Sequence, residues 1–290
     1  MSARACEVCG GGEFRHLSSR NGHQFFRCRS CQLIRIDPQP TDETLARIYG
    51  KKYYEAWGVQ SGQEKVQELK KGTFRKHVMS KVQLQQGARV LDCGAAFGAL
   101  MEAAKEKGLE PYGIELAAEA AAEIRRRFGP DRIFSGPFEQ AAFPGIETSA
   151  FDGVFMCDFI EHVRDPLTVL EKASSLLRPG GCLILTTPDG ESLSCKLMGS
   201  AWLHFKVEHL FYFSRRNMAR LLRRLGFNIT YSGRAWKVLD LEYIQNQFRT
   251  YPRAVVTPMI NLLAQCAGSR LRRFPLSFSF GEMIVVGKKP

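Results

Sequence analysis

Long apolar runs and a secretion signal are both missing from this chain of 290 residues. No uncharged apolar stretch reaches the length of about 18 residues that a membrane-spanning helix needs, so we expect none. The start of the chain, Met1 to Cys6, has no apolar signal region. Nine cysteines, an odd number, then favour reduced thiols and a metal site over a disulfide framework. These absences predict a cytoplasmic protein.

Acidic side chains are scarce in the last third of the chain. The formal net charge is +12, yet residues 88–190 hold 10 basic and 16 acidic side chains, whereas residues 191–290 hold 16 and 5. A basic surface of this kind favours an anionic partner such as a phosphate, a nucleotide, an acidic glycan or a lipid headgroup. Ordinary solubilising surface charge explains the same distribution, and the sequence leaves both interpretations open.

Short apolar strands alternate with helices in the middle of the chain. We predict strands at 89–92, 111–116, 132–135, 153–158 and 182–187, and helices at 99–107, 117–128 and 167–177. This alternation predicts right-handed βαβ units, and therefore an α/β fold with a doubly wound, mostly parallel sheet. Beyond it we predict a helix at 215–225, a strand at 228–232, helices at 239–249 and 259–273, and a terminal strand at 277–287.

A Gly-rich turn follows the first predicted strand. Asp92 ends the apolar run, and the turn consists of Gly94, Ala95, Ala96, Phe97 and Gly98. Backbone N–H groups at such a helix start bind an anionic ligand group. The Asp92 carboxylate would repel a pyrophosphate but attract an ammonium group. S-adenosylmethionine (SAM) carries both a carboxylate and an ammonium, whereas the G-x-G-x-x-G pattern for a dinucleotide is absent, so we predict SAM as the cofactor.

Later loops supply the rest of the predicted cofactor site. Glu115 ends the second strand, 23 residues after Asp92, where a carboxylate accepts hydrogen bonds from the ribose hydroxyls of an adenosine ligand. We predict that Leu116 packs on the adenine, that Phe138 adds an aromatic contact, and that Asp158 reaches the pocket beneath the methyl group. Tyr54, in a helical segment upstream, is predicted to close over the cofactor.

Four ordered motifs make residues 88–190 similar to the class I SAM-dependent methyltransferases. The motifs are Asp92-Cys93-Gly94 with Gly98, then Glu115, then residues 158–163, and then Leu177 to Gly181. The resemblance implies a Rossmann-like methyltransferase fold with a seven-stranded sheet, and transfer of a methyl group from SAM. In that family a histidine placed like His162 is often structural, and we interpret it in that way.

Two cysteine pairs near the start of the chain predict a metal site. Cys6, Cys9, Cys28 and Cys31 form the pattern C-x2-C-x18-C-x2-C, which is typical of a zinc ribbon with four thiolate ligands. Because such a site has no open coordination position, we expect the Zn²⁺ to be structural. Arginines and phenylalanines around the pairs would also suit nucleic-acid binding. The small net charge of this segment favours docking or substrate positioning instead, and we expect no nucleic-acid partner.

An aromatic segment, residues 202–214, contains the predicted catalytic residues, Glu208 and His209. It is similar to the Glu-His element of sugar methyltransferases that act on deoxysugar nucleotides and also begin with a four-Cys zinc module. The resemblance implies that His209, assisted by Glu208, removes a proton from the acceptor. Lys206 replaces a tyrosine of that family, and the additional C-terminal domain of its carbon-methylating members is absent. A packing role for His209 stays open.

We therefore divide the chain into a zinc ribbon (1–40), a helical lid or connector (41–86) and a SAM-binding methyltransferase domain (87–290), with acceptor-side loops and helices at 191–275. The predicted function is methyl transfer to a small-molecule or glycan-type acceptor: a sugar, a nucleotide sugar or a natural-product intermediate. One alternative is a nucleic-acid or protein methyltransferase that captures its target with the ribbon, and another is a non-catalytic SAM-binding protein.

The apolar helix with a basic end at 259–274 leaves a peripheral membrane contact open. The sequence leaves the methylated atom and the oligomeric state undetermined.

Overall fold

The N-terminal part of the chain forms a small antiparallel sheet followed by helices. The computed structural model describes residues 5–20, 22–48, 64–146, 148–250, 252 and 256–290. The first elements are β1 (Phe14–Arg20), β2 (His23–Cys28), β3 (Ile34–Ile36), α1 (Asp42–Ile48) and α2 (Glu64–Thr73), followed by short helical turns to Lys81. The described parts of 41–86 are thus largely helical, as predicted.

The middle of the chain alternates strands and helices. Its elements are β4 (Arg89–Cys93), α3 (Ala99–Glu106), β5 (Glu110–Glu115), α4 (Ala118–Phe128), β6 (Ile133–Ser135), β7 (Phe151–Cys157), α5 (Pro166–Leu176) and β8 (Leu177–Pro188). The last part of the chain consists of α6 (Leu193–Met198), β9 (Phe211–Tyr212), α7 (Arg215–Arg224), β10 (Asn228–Arg234), β11 (Lys237–Leu239), α8 (Leu241–Thr250), α9 (Val256–Cys266), α10 (Ser269–Arg272), β12 (Leu276–Phe278) and β13 (Glu282–Lys288). Among the described residues, no helix combines the length and apolar character needed to cross a membrane.

The predicted seven-stranded, mostly parallel sheet is confirmed. Its strand order is β10-β13-β8-β7-β4-β5-β6. Strands β4 to β8 pair in parallel, whereas β13 runs antiparallel to both of its neighbours. The chain order reverses between β4 and β7, so the carboxyl ends of these two strands border a crevice. Ligands of open α/β sheets bind at such a crevice.

Alternate residues of the central strands face two separate apolar layers. Leu91 belongs to a core that also contains Val169 and Leu170 of α5 and leucines of α7. Val90 belongs to a second core, with Leu100 of α3. Because both faces of the sheet are covered by helices, its central strands are apolar runs rather than alternating apolar and polar residues.

The small N-terminal sheet is completed by a strand from the other end of the chain. Its order is β1-β2-β3-β9, and β9 pairs antiparallel with β3. The ribbon residues Cys6, Cys28 and Leu33 pack in the same core as Leu210 and Met218. The predicted ribbon therefore shares both a sheet and a core with residues of the predicted 87–290 domain.

Three boundaries differ from the sequence prediction. Strand β8 begins at Leu177 and not near 182, because the residues around Gly180 continue the strand after α5. The predicted helix 259–273 is two helices, α9 and α10, interrupted near Gly268. The predicted strand 277–287 is likewise two strands, β12 and β13, separated by a left-handed glycine, Gly281 (φ +99°).

Candidate cofactor and acceptor site

The Gly-rich turn joins β4 to α3 at the carboxyl edge of the sheet. Gly94, Ala96 and Gly98 all have left-handed backbones, with φ of +76°, +46° and +79°. A Cβ atom on Gly94 would lie 3.0 Å from the Phe159 ring, and one on Gly98 would lie 3.3 Å from Ile124. Glycine is thus favoured at both positions, because the backbone is left-handed and a Cβ atom would crowd a neighbouring side chain. Ala96 accepts a conformation that non-glycine residues rarely adopt, which is a feature of functional turns.

Glu115, at the end of β5, holds this turn. One oxygen of its buried carboxylate accepts a hydrogen bond from the Ala96 N–H at 2.7 Å, and the other accepts one from the Ala117 N–H at 2.8 Å. A carboxylate offers roughly four acceptor positions, so one that is held by backbone N–H groups can also accept hydrogen bonds from hydroxyl groups. The structure therefore brings Glu115 to the turn, as the SAM interpretation requires.

Asp92 lies at the end of β4 and is also buried. Burial raises the pKa of its carboxyl group to about 8, and the negative charge of Glu115 adds to the effect. Asp92 is therefore largely protonated near neutral pH as long as no positive charge is close. An ammonium group placed here would favour the ionised carboxylate.

The predicted adenine contacts occupy different environments. Leu116 is 67% exposed, just beyond the end of β5. Phe138 is buried and packs edge-on against Phe159, with ring centroids 5.8 Å apart. Phe159 is thus the aromatic ring next to the Gly94 turn, and Phe138 lies behind it. The remaining turn residues, Ala95 and Phe97, are buried, and Tyr54 falls outside the described residues.

Asp158 follows β7 with a left-handed backbone (φ +52°). Its carboxylate binds Lys237 Nζ at 2.8 Å, and the same ammonium binds Glu282 at 2.8 Å. Burial alone would raise the pKa of Asp158, but the charge of Lys237 lowers it below its usual value. The sequence prediction missed Lys237, because β11 lies about 80 residues further along the chain and no local motif marks it.

The acceptor side of the site contains a cluster of one carboxylate and two imidazoles. Glu161, His162 and His209 place one potential ligand atom each within 4.8 Å of the others. The two rings are edge-on, with centroids 4.8 Å apart. Burial raises the pKa of Glu161 to about 8, lowers that of His162 to about 4, and lowers that of His209 well below its ordinary value. Both imidazoles are therefore neutral at physiological pH.

Glu208 meets this cluster through its backbone and not through its carboxylate. The His162 Nδ1–H donates to the Glu208 carbonyl at 2.9 Å. His209 Nδ1 is buried without a hydrogen-bond partner among the described residues. The expected carboxylate–imidazole pair is thus not formed. His162, which we interpreted as structural, is the residue beside His209.

The four ribbon thiols converge as their spacing predicts. Cys6 Sγ lies 3.4 Å from Cys31 Sγ, and Cys9 Sγ lies 3.6 Å from Cys28 Sγ. All four sulfur atoms lie within 4.8 Å of one another. Tetrahedral zinc with Zn–S bonds of about 2.3 Å implies sulfur–sulfur separations of about 3.8 Å. The donor set and its geometry therefore fit a Zn²⁺ ion.

Backbone hydrogen bonds connect the ribbon to the acceptor-side cluster. The Ile36 N–H donates to the Leu210 carbonyl at 3.0 Å, and the Leu210 N–H donates to the Glu161 carbonyl at 2.8 Å. Asn217 Nδ2 donates to the Cys31 carbonyl at 2.8 Å. Because Leu210 follows His209 directly, these bonds to the ribbon also fix the backbone of His209.

Known methyltransferases are similar to this chain in sequence and in fold. A 114-residue segment is 34% identical to the ubiquinone biosynthesis O-methyltransferase of Xanthomonas campestris pv. campestris (strain B100), covering 38% of this chain and 47% of that protein. The chain thus matches about half the length of this curated relative. The fold is similar to a SAM-dependent methyltransferase from Archaeoglobus fulgidus, with 17% identity, a TM-score of 0.55, and coverage of 83% of this chain and 100% of that one.

A second solved structure with a similar fold is phosphoethanolamine N-methyltransferase 2 of Haemonchus contortus, which contains S-adenosylhomocysteine. The identity is 16%, the TM-score is 0.52, and the likeness covers 89% of this chain and 62% of that one. A family model described as a methyltransferase domain matches residues 63–232, more than half of the chain. This chain therefore belongs to the methyltransferase domain family.

Proposed function

We propose that this protein transfers the methyl group of SAM to a hydroxyl group of a small-molecule acceptor. The observation that carries the proposal is the Glu115 carboxylate, bound to the Ala96 N–H of the Gly-rich turn at the carboxyl edge of the sheet. The names of the curated relatives, which are O-methyltransferases, support oxygen as the methylated atom.

In this proposal the protein binds two parts of SAM, namely its charged amino-acid end and its ribose hydroxyls. Asp92 binds the ammonium group of SAM, and Glu115 accepts hydrogen bonds from the ribose hydroxyls. The N–H groups of Gly94, Ala95, Ala96 and Gly98 already donate to protein oxygens, so the turn contributes its close backbone approach and not these donors. Leu116 and Phe159 line the adenine side. Transfer itself is a direct displacement at the sulfonium methyl, so the main contribution of the protein is to align the two reactants.

The acceptor lies beside the cluster of Glu161, His162 and His209. His209 is the residue that we propose to activate the acceptor hydroxyl, and Glu208 contributes by holding the His162 ring through its carbonyl. Because burial keeps His209 unprotonated, its nitrogen is available for this role at neutral pH. The same cluster borders Lys206, whose pKa burial lowers to about 8.

We further propose that the acceptor is a sugar, a nucleotide sugar or a natural-product intermediate that carries negative charge. The excess of basic side chains in residues 191–290 supports an anionic acceptor. Zn²⁺ bound by Cys6, Cys9, Cys28 and Cys31 would stabilise the ribbon without taking part in methyl transfer.

The first test measures SAM binding by calorimetry. Glu115→Ala should weaken SAM binding by at least about tenfold, since a hydrogen-bonded charged group is worth roughly 1.5–3 kcal/mol. Glu119→Ala, an exposed change on the neighbouring helix, is the matched control and should leave affinity unchanged. SAM binding that is equal in both variants would contradict the proposed site.

The second test identifies the acceptor from S-adenosylhomocysteine formation. Nucleotide sugars, free sugars and phenolic intermediates are offered separately with SAM, and products are identified by mass spectrometry. His209→Ala should retain SAM affinity and lose turnover on whichever class reacts. Unchanged turnover would remove His209 from the mechanism, and methylation of nitrogen or carbon would contradict the hydroxyl acceptor.

A further inference from the structure

The cluster of Glu161, His162 and His209 contains polar atoms that the protein buries without partners. Glu161 is 1% exposed and His209 is 6% exposed. Glu161 Oε2 and His209 Nδ1 have no hydrogen-bond partner among the described residues. Leaving a buried acceptor unpaired costs free energy, so native proteins rarely keep one without a function. Here a carboxylate oxygen and an imidazole nitrogen occur within one cluster.

Each of the two rings has one nitrogen that is available as a lone-pair donor. His162 Nδ1 donates its proton to the Glu208 carbonyl, so Nε2 of this neutral ring carries the lone pair. His209 Nδ1 has no hydrogen-bond partner among the described residues, so it is available as the lone-pair nitrogen of that ring. A second hydrogen bond that fixes the tautomer is typical of histidines that bind metals.

We propose that Glu161, His162 and His209 bind a divalent first-row transition cation of the Zn²⁺ or Co²⁺ type. Two imidazole nitrogens and one carboxylate oxygen, all within 4.8 Å of one another, form a donor set that these ions prefer over Mg²⁺ or Ca²⁺. A single cation satisfies both orphaned atoms. The site differs from the ribbon, whose four donors are all sulfur.

Three protein ligands leave open positions on the cation, as in catalytic metal sites. This consequence rests on the proposed methyl transfer. An acceptor hydroxyl that binds the cation is more acidic and loses its proton to solvent. Its oxygen then forms a bond to the methyl carbon as the carbon–sulfur bond breaks and S-adenosylhomocysteine leaves. His209 would thus activate the acceptor by holding the cation.

The test counts metal ions bound by the full-length protein. The protein is stripped with a chelator and refilled with Co²⁺ alone, and bound metal is measured by mass spectrometry together with the absorption spectrum. We expect two Co²⁺ per chain: one with thiolate-to-cobalt charge-transfer bands, from the ribbon, and one without them. Excess Mg²⁺ should displace neither ion.

Variants assign the second ion to the cluster. Glu161→Gln and His209→Ala should each bind one Co²⁺, with the thiolate bands intact, so that the occupied ribbon shows that the chain is folded. His204→Gln, a change at a neighbouring histidine outside the cluster, should still bind two. Any of three results would overturn the proposal: wild-type protein with one Co²⁺ and only a thiolate spectrum, two ions retained in Glu161→Gln or His209→Ala, or displacement by Mg²⁺. The number of bound Co²⁺ ions does not depend on SAM or on turnover. The proposed metal site is therefore tested separately from the proposed methyl transfer.

Discussion

Asp92 and Glu115 are two buried carboxylates at the same edge of the sheet, but they differ in their hydrogen bonds and in their ionisation. Glu115 accepts hydrogen bonds from two backbone N–H groups, which hold it in place against the turn. Asp92 has a pKa raised to about 8 by burial and by the charge of Glu115. It can therefore respond to the arrival of a cation by releasing a proton.

The first residue-scale prediction concerns pH. Below pH 8 the unliganded protein holds Asp92 protonated, whereas the ammonium of SAM favours its ionised form. SAM affinity should therefore rise between pH 6 and pH 8, by at most about tenfold per pH unit. Calorimetry in buffers of different ionisation enthalpy should detect proton release on binding at pH 7.

Asp92→Asn provides the control for this prediction. The amide cannot ionise, so SAM binding should be weaker at pH 8 and nearly independent of pH between 6 and 8. A wild-type affinity that is flat over this range, or a pH dependence that persists in the variant, would show that Asp92 does not bind the ammonium.

The same pKa shift predicts a change in stability. Because folded Asp92 holds its proton more tightly than an unfolded aspartate, whose pKa is 3.8, its contribution to stability falls as the pH rises from about 4 to about 8. Asp92→Asn should therefore gain stability relative to wild type at pH 8, and the gain should shrink towards pH 5. Urea unfolding at the two pH values measures the difference.

The proximity of two residues could be predicted from the sequence where their motif is local. Asp92, the glycines of the turn and Glu115 are close in sequence or fall at regular strand ends, and the structure brings them together. The ion pair of Lys237 with Asp158 and the contact of His162 with His209 could not be predicted from the sequence. The paired residues are 47 and 79 positions apart in the sequence, and only the packing of the loops above the sheet brings them into contact.

At the scale of elements, the ribbon and the acceptor loop form one unit. Strand β9 completes the ribbon sheet, and Leu210 bonds Ile36 on one side and Glu161 on the other. The spacing of the cysteines predicted the thiol cluster but not this strand pairing. Two residues, Phe211 and Tyr212, form β9, and so short a strand has no periodicity to detect.

This arrangement predicts that ribbon variants impair the acceptor side and spare the cofactor side. Cys6→Ser combined with Cys9→Ser should abolish the proposed binding of Zn²⁺ by the ribbon and loosen the backbone that carries His209. Turnover should fall by up to about 100-fold, the cost of misplacing a reacting group by roughly 1 Å. SAM affinity should stay within about twofold of wild type, because the 94–98 turn and Glu115 lie on other elements.

Cys266→Ser is the matched control, since Cys266 is an exposed thiol outside the cluster. Its turnover and metal content should equal those of wild type. A ribbon variant that has lost its metal but keeps full turnover would show that the ribbon does not position the acceptor-side residues.

At the scale of the molecule, one apolar core extends from the ribbon into the sheet domain. Cys6, Val8 and Leu33 belong to the same buried cluster as Phe213 and Leu221. Arg20 of the ribbon also donates to the Phe205 carbonyl at 3.0 Å. The division at residue 40, predicted from the cysteine spacing, therefore does not coincide with a break in the packing. Motif spacing reports which residues are close in sequence and not which residues pack against a buried face.

A shared core predicts that the ribbon and the sheet domain unfold together. Differential scanning calorimetry of the metal-loaded protein should show a single transition, with a calorimetric enthalpy equal to the van't Hoff enthalpy. Removing the metal with a chelator should lower the temperature of that whole transition, since metal binding stabilises only the folded state. A separate low-temperature transition that disappears with the chelator, beside a main transition that does not move, would instead show that the ribbon is an independent folding unit. In that case its contacts with Leu210 would be too weak to position His209, and the positioning role of the ribbon would fail with them.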